Sequence, residues 1–382
     1  MNVLFVSSWY PTAENPNFGI FIKEHAKAIH STENEIIVLA TLVQRSDSFF
    51  KLKITDSVDE TGMRIVQIVI SSRYKDLLHH LVPLQNQIAY SVYKKRIFPT
   101  FSVDIVHSNV VFPAGMIGDY ISRKICKPHI ITEHWSKIAG ILQKPFLSGL
   151  TKDAYRNAAK ILPVSEFLKK NMMNLMPFLN EEKIQVIPNV VNLETFTYKQ
   201  KTQNKQELNF CAIATWATKK VPDKKPELFI EALAEFQRTS DKKIVLTMIG
   251  GGDRVNELKQ LCKDKSLKNN FLGYQNKEQI AAHLQKSDFF IHASNIETFG
   301  VVIVEALMTG TPVICSGVGA LPELIDNSNG VLCENSLESW IAGIKTAIDT
   351  SYNFEHISAH TGNRYSLKTI GNQLNDIYKT VL

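Results

Sequence analysis

Cysteine is scarce in this chain and odd in number. Five are spread over 382 residues, at positions 126, 211, 262, 315 and 333, with no Cys-x-x-Cys pair. That excludes a disulfide framework and a cysteine-held zinc site, and it fits a reducing compartment. No apolar run approaches the roughly 18 residues of a membrane span, so an integral membrane protein is not expected. The opening Met1-Asn2-Val3-Leu4-Phe5-Val6-Ser7-Ser8 lacks the basic start and cleavage site of a secretory leader and reads as a first buried strand. The expected location is therefore cytoplasmic. There is no fixed-period repeat and no low-complexity tract. No Lys/Arg cluster is interleaved with aromatics, so nucleic acid is not expected as a partner. No Asp-x-Asp pair stands at a strand end, so no metal or other cofactor is expected either.

What is present is an ordinary core-forming composition, with 44% hydrophobic and 21% charged residues. At about 100–200 residues per domain the length favours two domains. The net charge of +6 is carried mostly by the first half, where residues 1–195 hold 22 Lys and Arg against 17 Asp and Glu. A surplus of that size suits an anionic surface or partner, and equally a solvated surface.

Short, wholly apolar, β-rich runs alternate with amphipathic helical stretches. Strands are expected at 3–7, 35–40, 64–70, 104–107, 128–132, 160–163 and 184–188, then at 208–214, 243–249, 270–271, 288–292, 311–315 and 330–333. Helices are expected at 21–29, 114–123, 226–239, 254–263, 277–286, 299–309 and 337–349. Strands apolar along their whole length are buried on both faces, as in parallel sheets flanked by helices. Between the two halves, residues 192–207 are polar and without a hydrophobic period, which marks a linker. The expected architecture is α/β: two Rossmann-like, doubly wound parallel-sheet domains, 1–191 and 208–363, facing a cleft, with a C-terminal helix at about 364–382 packing back on the first.

The chemistry concentrates in the stretch from Ser294 to Val313, SNIETFGVVIVEALMTGTPV. It follows a strand and opens a helix near Phe299. The first N–H groups of a helix have no internal partner, and a helix N-terminus at a strand end suits a diphosphate. Gly300 leaves room for a ligand to approach the backbone. Glu297 lies in the loop and Glu305 eight positions on, on the order of 12 Å along a helix axis at 1.5 Å per residue. Carboxylates accept from vicinal hydroxyls, so one can hold a ribose and the other a sugar. The plainer reading makes Glu305 an exposed helix residue and Glu297 an N-cap acid.

The Glu-x7-Glu pattern in this setting resembles the retaining, nucleotide-sugar-dependent glycosyltransferases of family 4, group 1, which have the GT-B fold. The resemblance runs in order along nearly the whole chain. It includes Trp9-Tyr10-Pro11 and Gly19-Ile20-Phe21, Ile131-Thr132-Glu133-His134, Val164-Ser165, and Val186-Ile187-Pro188-Asn189. In the second half it includes Ile249-Gly250-Gly251-Gly252-Asp253, Phe271-Leu272-Gly273-Tyr274 and Gly319-Ala320-Leu321-Pro322-Glu323.

The resemblance implies roles. Glu305 would bind the ribose hydroxyls and Glu297 the donor sugar. Backbone amides at Phe299, Gly300 and Val301 would cradle the diphosphate, with Gly19 approaching it from the first domain. Gly250, Gly273 and Tyr274 fall at matching strand ends on the nucleotide side. His134 would contact the donor sugar near the reacting carbon, although His107, His129 and His292 also sit at or near strand ends. The family's basic pair falls on Lys219 and Lys224, with Lys220 and Lys225 as competitors. Lysine at the usual arginine position and Val190 at a usual glycine position are departures from the pattern.

The implied activity is sugar transfer from a nucleotide sugar, UDP ahead of GDP, to a glycan or lipid-linked acceptor. Transfer would proceed with retention and without a metal, in surface polysaccharide or glycoconjugate synthesis. A GT-B nucleotide-sugar epimerase and a non-catalytic nucleotide-sugar-binding protein are the alternatives. A dinucleotide oxidoreductase is not expected, since neither Gly250-Gly251-Gly252 nor Gly19 completes a Gly-x-Gly-x-x-Gly after a strand. Finally, residues 73–96 carry Arg73, Lys75, Lys94, Lys95 and Arg96 against the single acid Asp76, interspersed with leucines. Such a segment can rest peripherally on an anionic membrane face, or it can bury its leucines as an ordinary helix.

Overall fold

The computed structural model describes the chain except residues 13–14, 16–17, 202–205 and 218–223. Two compact units result, one of residues 1–190 with 367–382 and one of residues 191–366.

The first unit is built on seven strands: β1 (Asn2–Ser7), β2 (Glu35–Arg45), β3 (Lys51–Val58), β4 (Arg64–Ser72), β5 (Ile105–Asn109), β6 (His129–Glu133) and β7 (Lys160–Pro163). Their spatial order is β3-β4-β2-β1-β5-β6-β7. The central strands are parallel and buried along nearly their whole length, as their unbroken apolar runs require. Two differences from the sequence expectation stand out. β3, not expected, pairs antiparallel with β4 at the sheet edge, and its residues are almost all exposed, so it carries no buried apolar run to announce it. Residues 184–188, expected as a strand, make only an isolated bridge from Ile184 to Ile161. Ile187 N–H donates to Pro163 O, but Pro163 and Pro188 have no N–H to continue a ladder. The C-terminal helix Leu367–Val381 belongs to this unit. Its Ile370, Leu374, Ile377 and Tyr378 join the core around β1, and Gly371 lies against the Ala28 carbonyl, where a Cβ would clash.

The second unit holds β8 (Glu207–Ile213), β9 (Lys243–Ile249), β10 (Lys268–Phe271), β11 (Phe289–His292), β12 (Val313–Ser316) and β13 (Gly330–Cys333), all parallel, in the order β10-β9-β8-β11-β12-β13. Its core packs Phe229, Trp340 and Ile344 of the helices Pro226–Thr239 and Leu337–Asp349 over Phe210, Leu246 and Ile291. The described part of the polar 192–207 segment is not free chain. Phe196 is buried, and Lys201 reaches inward to donate to Ser287 O at 2.6 Å and to Thr311 Oγ1 at 2.6 Å. Burial pushes the Lys201 amine down to about 7.

Candidate active site

The end of β11 is where charge gathers in the second unit. β11 ends at His292, and the chain then turns through Ser294 to Phe299 before the helix Val301–Met308. Ser294 N–H donates to Ser316 Oγ, and Asn335 Nδ2 donates to Ser294 O, so the turn is tied to the end of β12 and the loop after β13. Gly300 caps the helix at φ 95°, in the left-handed region, and a Cβ there would meet Leu321 Cδ2 at 2.7 Å. The helix therefore begins at Val301, two residues later than its sequence pattern suggests. The amides at its start have no carbonyl one turn back to bond, which leaves them available to an anion.

Glu297 sits in this turn and forms an ion pair with Lys224. The same carboxylate oxygen lies 2.7 Å from His292 Nε2, which is 3.2 Å from Lys224 Nζ. Burial opposes ionisation of Glu297, but the Lys224 charge and the His292 hydrogen bond outweigh it and hold the carboxyl at about 2. Burial, and then the Lys224 charge, keeps His292 neutral by lowering its pKa, so its ring donates to Glu297 from Nε2. Lys224 is fixed by its backbone. It bridges antiparallel to Ser294, and the neighbouring Lys225 N–H donates to Ala293 O at 3.0 Å. Lys219 and Lys220 lie outside the described residues.

Glu305 is 2% exposed, so it is no surface residue of its helix. One oxygen is paired with Lys277, whose ammonium also stands 5.6 Å from the Phe196 ring. The other is buried without a hydrogen-bond partner among the described residues. A buried, acceptor-only oxygen lacking a donor is costly unless a ligand supplies one. Phe299 is buried, its ring edge against Tyr365. Gly250 N–H donates to Gly273 O at 2.8 Å, joining the ends of β9 and β10. Gly273 (φ 68°) faces open space, and Tyr274 is 65% exposed with its ring over Gly251.

In the first unit, the strand-end His134 is buried and held on both ring nitrogens, Nδ1 by Asn189 at 2.9 Å and Nε2 by Asn109 at 3.0 Å. Burial and the neighbouring His25 push its pKa well down. A neutral imidazole has one N–H. Both atoms facing the ring are amide oxygens, Asn189 Oδ1 and Asn109 Oδ1, so the ring donates to one of them, and the buried Asn109 Nδ2 has no partner among the described residues. Glu133 fixes the segment by accepting from the N–H groups of Val111, His134 and Trp135 and from the Tyr155 hydroxyl. Gly19 (φ 67°) caps helix Ile20–His30 and lies against the Trp9 carbonyl, where a Cβ would be 2.1 Å from the oxygen. That close approach alone demands glycine.

The sequence reading missed Lys277, Glu133 and the pairing of His292 with Glu297. His292 stands five residues before Glu297 at the end of the same strand, a signal available in advance. Glu133 stands in the Ile131–His134 motif without a role assigned to it, and Lys277 carried no signal.

A model of the group 1 glycosyl transferases matches residues 201–360, and a model of glycosyltransferase family 4 matches residues 20–195. The chain belongs to the family 4, group 1 glycosyltransferases. An uncharacterised glycosyltransferase of Methanocaldococcus jannaschii is 29% identical over 276 residues, 69% of this chain and 73% of its own. The alpha-monoglucosyldiacylglycerol synthase of Streptococcus pneumoniae is 25% identical over 313 residues, 76% of this chain and 70% of its own. Among solved structures, Anabaena HepE in complex with UDP matches all of both chains with a TM-score of 0.73 at 19% identity, a likeness of fold. This enzyme thus shares the GT-B fold of nucleotide-sugar-dependent glycosyltransferases.

Proposed function

We propose that the enzyme transfers a hexosyl group from a UDP-sugar, in preference to a GDP-sugar, to a glycan or lipid-linked acceptor, with retention and without a metal ion. The observation that carries this is the Lys224–Glu297–His292 cluster just before the start of helix Val301–Met308, with Glu305 buried within that same helix. The HepE complex with UDP supports the choice of nucleotide.

In this reading the buried, unpartnered oxygen of Glu305 accepts from the ribose hydroxyls and Glu297 from a hydroxyl of the donor sugar. Lys224, with Lys219, and the amides of Phe299, Gly300 and Val301 stabilise the diphosphate as it departs, since donors aimed at developing charge act most strongly in a dry site. Gly250, Gly273 and Tyr274 border the nucleotide. Gly19 and His134 serve the diphosphate and the sugar from the first unit. The bond between the anomeric carbon and the diphosphate oxygen breaks as the acceptor oxygen bonds to that carbon on the same face. The acceptor's proton passes to the departing phosphate oxygen. The experiment is a panel of UDP- and GDP-sugars assayed for hydrolysis and transfer, with the product anomer assigned by NMR. An inverted product, or no turnover of any nucleotide sugar, overturns the reading.

A peripheral seat on an anionic membrane belongs to the same proposal. The basic 73–96 segment forms helices Lys75–His80 and Val82–Val92, parted at Leu81 before Pro83. Leu77, Leu81 and Leu84 are exposed rather than buried, while Leu78 and Ile88 pack on the core. Exposed leucines amid Arg73, Lys94, Lys95 and Arg96 suit a lipid headgroup layer. Among the described residues no helix is long and apolar enough to cross a membrane.

A further inference from the structure

Lys277 stands where the local chemistry of a helix does not favour it. It is the first residue of helix Lys277–Lys286, whose N-cap is Asn276. The Asn276 side chain accepts from Gln279 N–H at 2.8 Å, and Gln279 Oε1 accepts from Asn276 N–H at 3.0 Å. That reciprocal cap is complete without Lys277. The positive end of the helix dipole lies at this turn and disfavours a cation there. A residue placed against its local preference answers to something else in the fold.

Here it answers to Glu305. That carboxylate sits inside helix Val301–Met308 and is buried, and Lys277 pairs with its Oε1. The ammonium also stands 5.6 Å over the Phe196 ring, whose face attracts a cation. Phe196 is itself buried, and its N–H donates to Asn192 O at 3.0 Å. The cap thus fixes the root of the Lys277 side chain, while ring and carboxylate fix its head. For Glu305 the result is that one oxygen is engaged and the carboxylate cannot turn. Its other oxygen, Oε2, is left with its lone pairs open and no partner among the described residues. The pair is also neutral as a whole and does not repel an anion. A buried carboxylate without its cation would oppose a diphosphate or take up a proton, and a protonated carboxyl loses acceptor capacity.

We propose that Lys277 is a positioning residue for the nucleotide: by engaging Oε1 it holds Glu305 in the orientation that offers Oε2 to the ribose hydroxyls, and so sets the preference for ribose over deoxyribose. The inference rests on the assignment of Glu305 to the ribose made above and adds the residue through which that contact is held.

The test uses the full chain and calorimetric titration with UDP, 2′-deoxy-UDP and 3′-deoxy-UDP. The parent protein is expected to bind at least one deoxy analogue about tenfold more weakly than UDP, the size of one charged hydrogen bond. Lys277→Met keeps an unbranched stem beside Phe196 and removes the charge, and in this variant the ratio is expected to fall to about one. Lys277→Arg returns the charge and is expected to restore the ratio. Because the ratio is taken within each variant, a fraction of unfolded protein, which weakens all three nucleotides alike, leaves it unmoved. A merely structural lysine would therefore not change it. A ratio that survives in Lys277→Met overturns the proposal and leaves the ribose assignment standing. A loss that Lys277→Arg does not repair overturns it too, since the charge would not be what matters. A parent protein that binds all three nucleotides equally, or none of them, overturns the ribose assignment itself and the proposal with it.

Discussion

Lys224 and Glu297, far apart in sequence, form an ion pair at the end of β11, and His292 donates to the same carboxylate. The pairing means that neither residue can be altered without changing the charge seen by the other. It also separates the two glutamates of the Glu-x7-Glu pattern, because Glu305 has its own cation, Lys277.

Glu297→Ala and Glu305→Ala should accordingly differ in kind. Loss of Glu297 is expected to lower kcat and relax the choice of sugar, with UDP affinity little changed. Loss of Glu305 is expected to weaken UDP binding by about 1.5–3 kcal/mol, the value of a charged hydrogen bond. Calorimetric titration of UDP into both variants decides the matter. Equal affinities in both variants and the parent would refute the ribose assignment.

Transfer should persist in a chelator. In the proposed reading the cations that meet the diphosphate are lysines, with helix amides beside them, so the protein itself would meet the leaving group's charge. Activity lost in EDTA and regained with Mg²⁺ or Mn²⁺ would contradict this.

Stability should fall on mild acidification, through the first unit. His25 and His129 are fully buried, which lowers their pKa values to about 4 and about 3, and burial likewise pushes His107 and His134 well down. In the unfolded chain a histidine titrates near 6.5, so below that pH the unfolded state binds protons that the folded state refuses. Each group's contribution is complete above pH 6.5 and is lost as pH falls towards its folded value, at about 1.4 kcal/mol per pH unit. Burial raises the pKa of Glu133, which works the opposite way over part of this range. Urea midpoints measured at pH 7, 5.5 and 4.5 should decline steadily. A midpoint independent of pH across that range would show that these histidines are not held neutral.

Binding to vesicles of anionic lipid should be reversible and salt-sensitive. Each basic residue near such a surface contributes about 1 kcal/mol, enough for a handful to retain the protein without anchoring it. Replacing Lys94, Lys95 and Arg96 with glutamine should shift the protein to the supernatant in a sedimentation assay. No sedimentation of the parent protein at low salt would exclude the membrane seat.

The sequence by itself determined the two sheets and the principal loop. Wholly apolar runs such as Val3–Val6 and Ile244–Leu246 are tolerable only when covered on both faces, so they declared parallel strands. The Ser294–Val313 stretch revealed its helix start because glycine, a strand end and spaced carboxylates are local signals. Tertiary structure alone decided which charges meet. Lys277 reaches Glu305, His107 lies 2.6 Å from the Tyr378 hydroxyl, and Glu133 collects three backbone amides and Tyr155. It also decided that β3 runs antiparallel along an exposed edge, whereas the return of the C-terminal helix to the first unit was expected from the sequence. Partners distant in the chain leave no period or spacing in the sequence, and an edge strand open to solvent needs no apolar run. Such contacts become definite only when the packed core fixes the backbone positions from which the side chains reach.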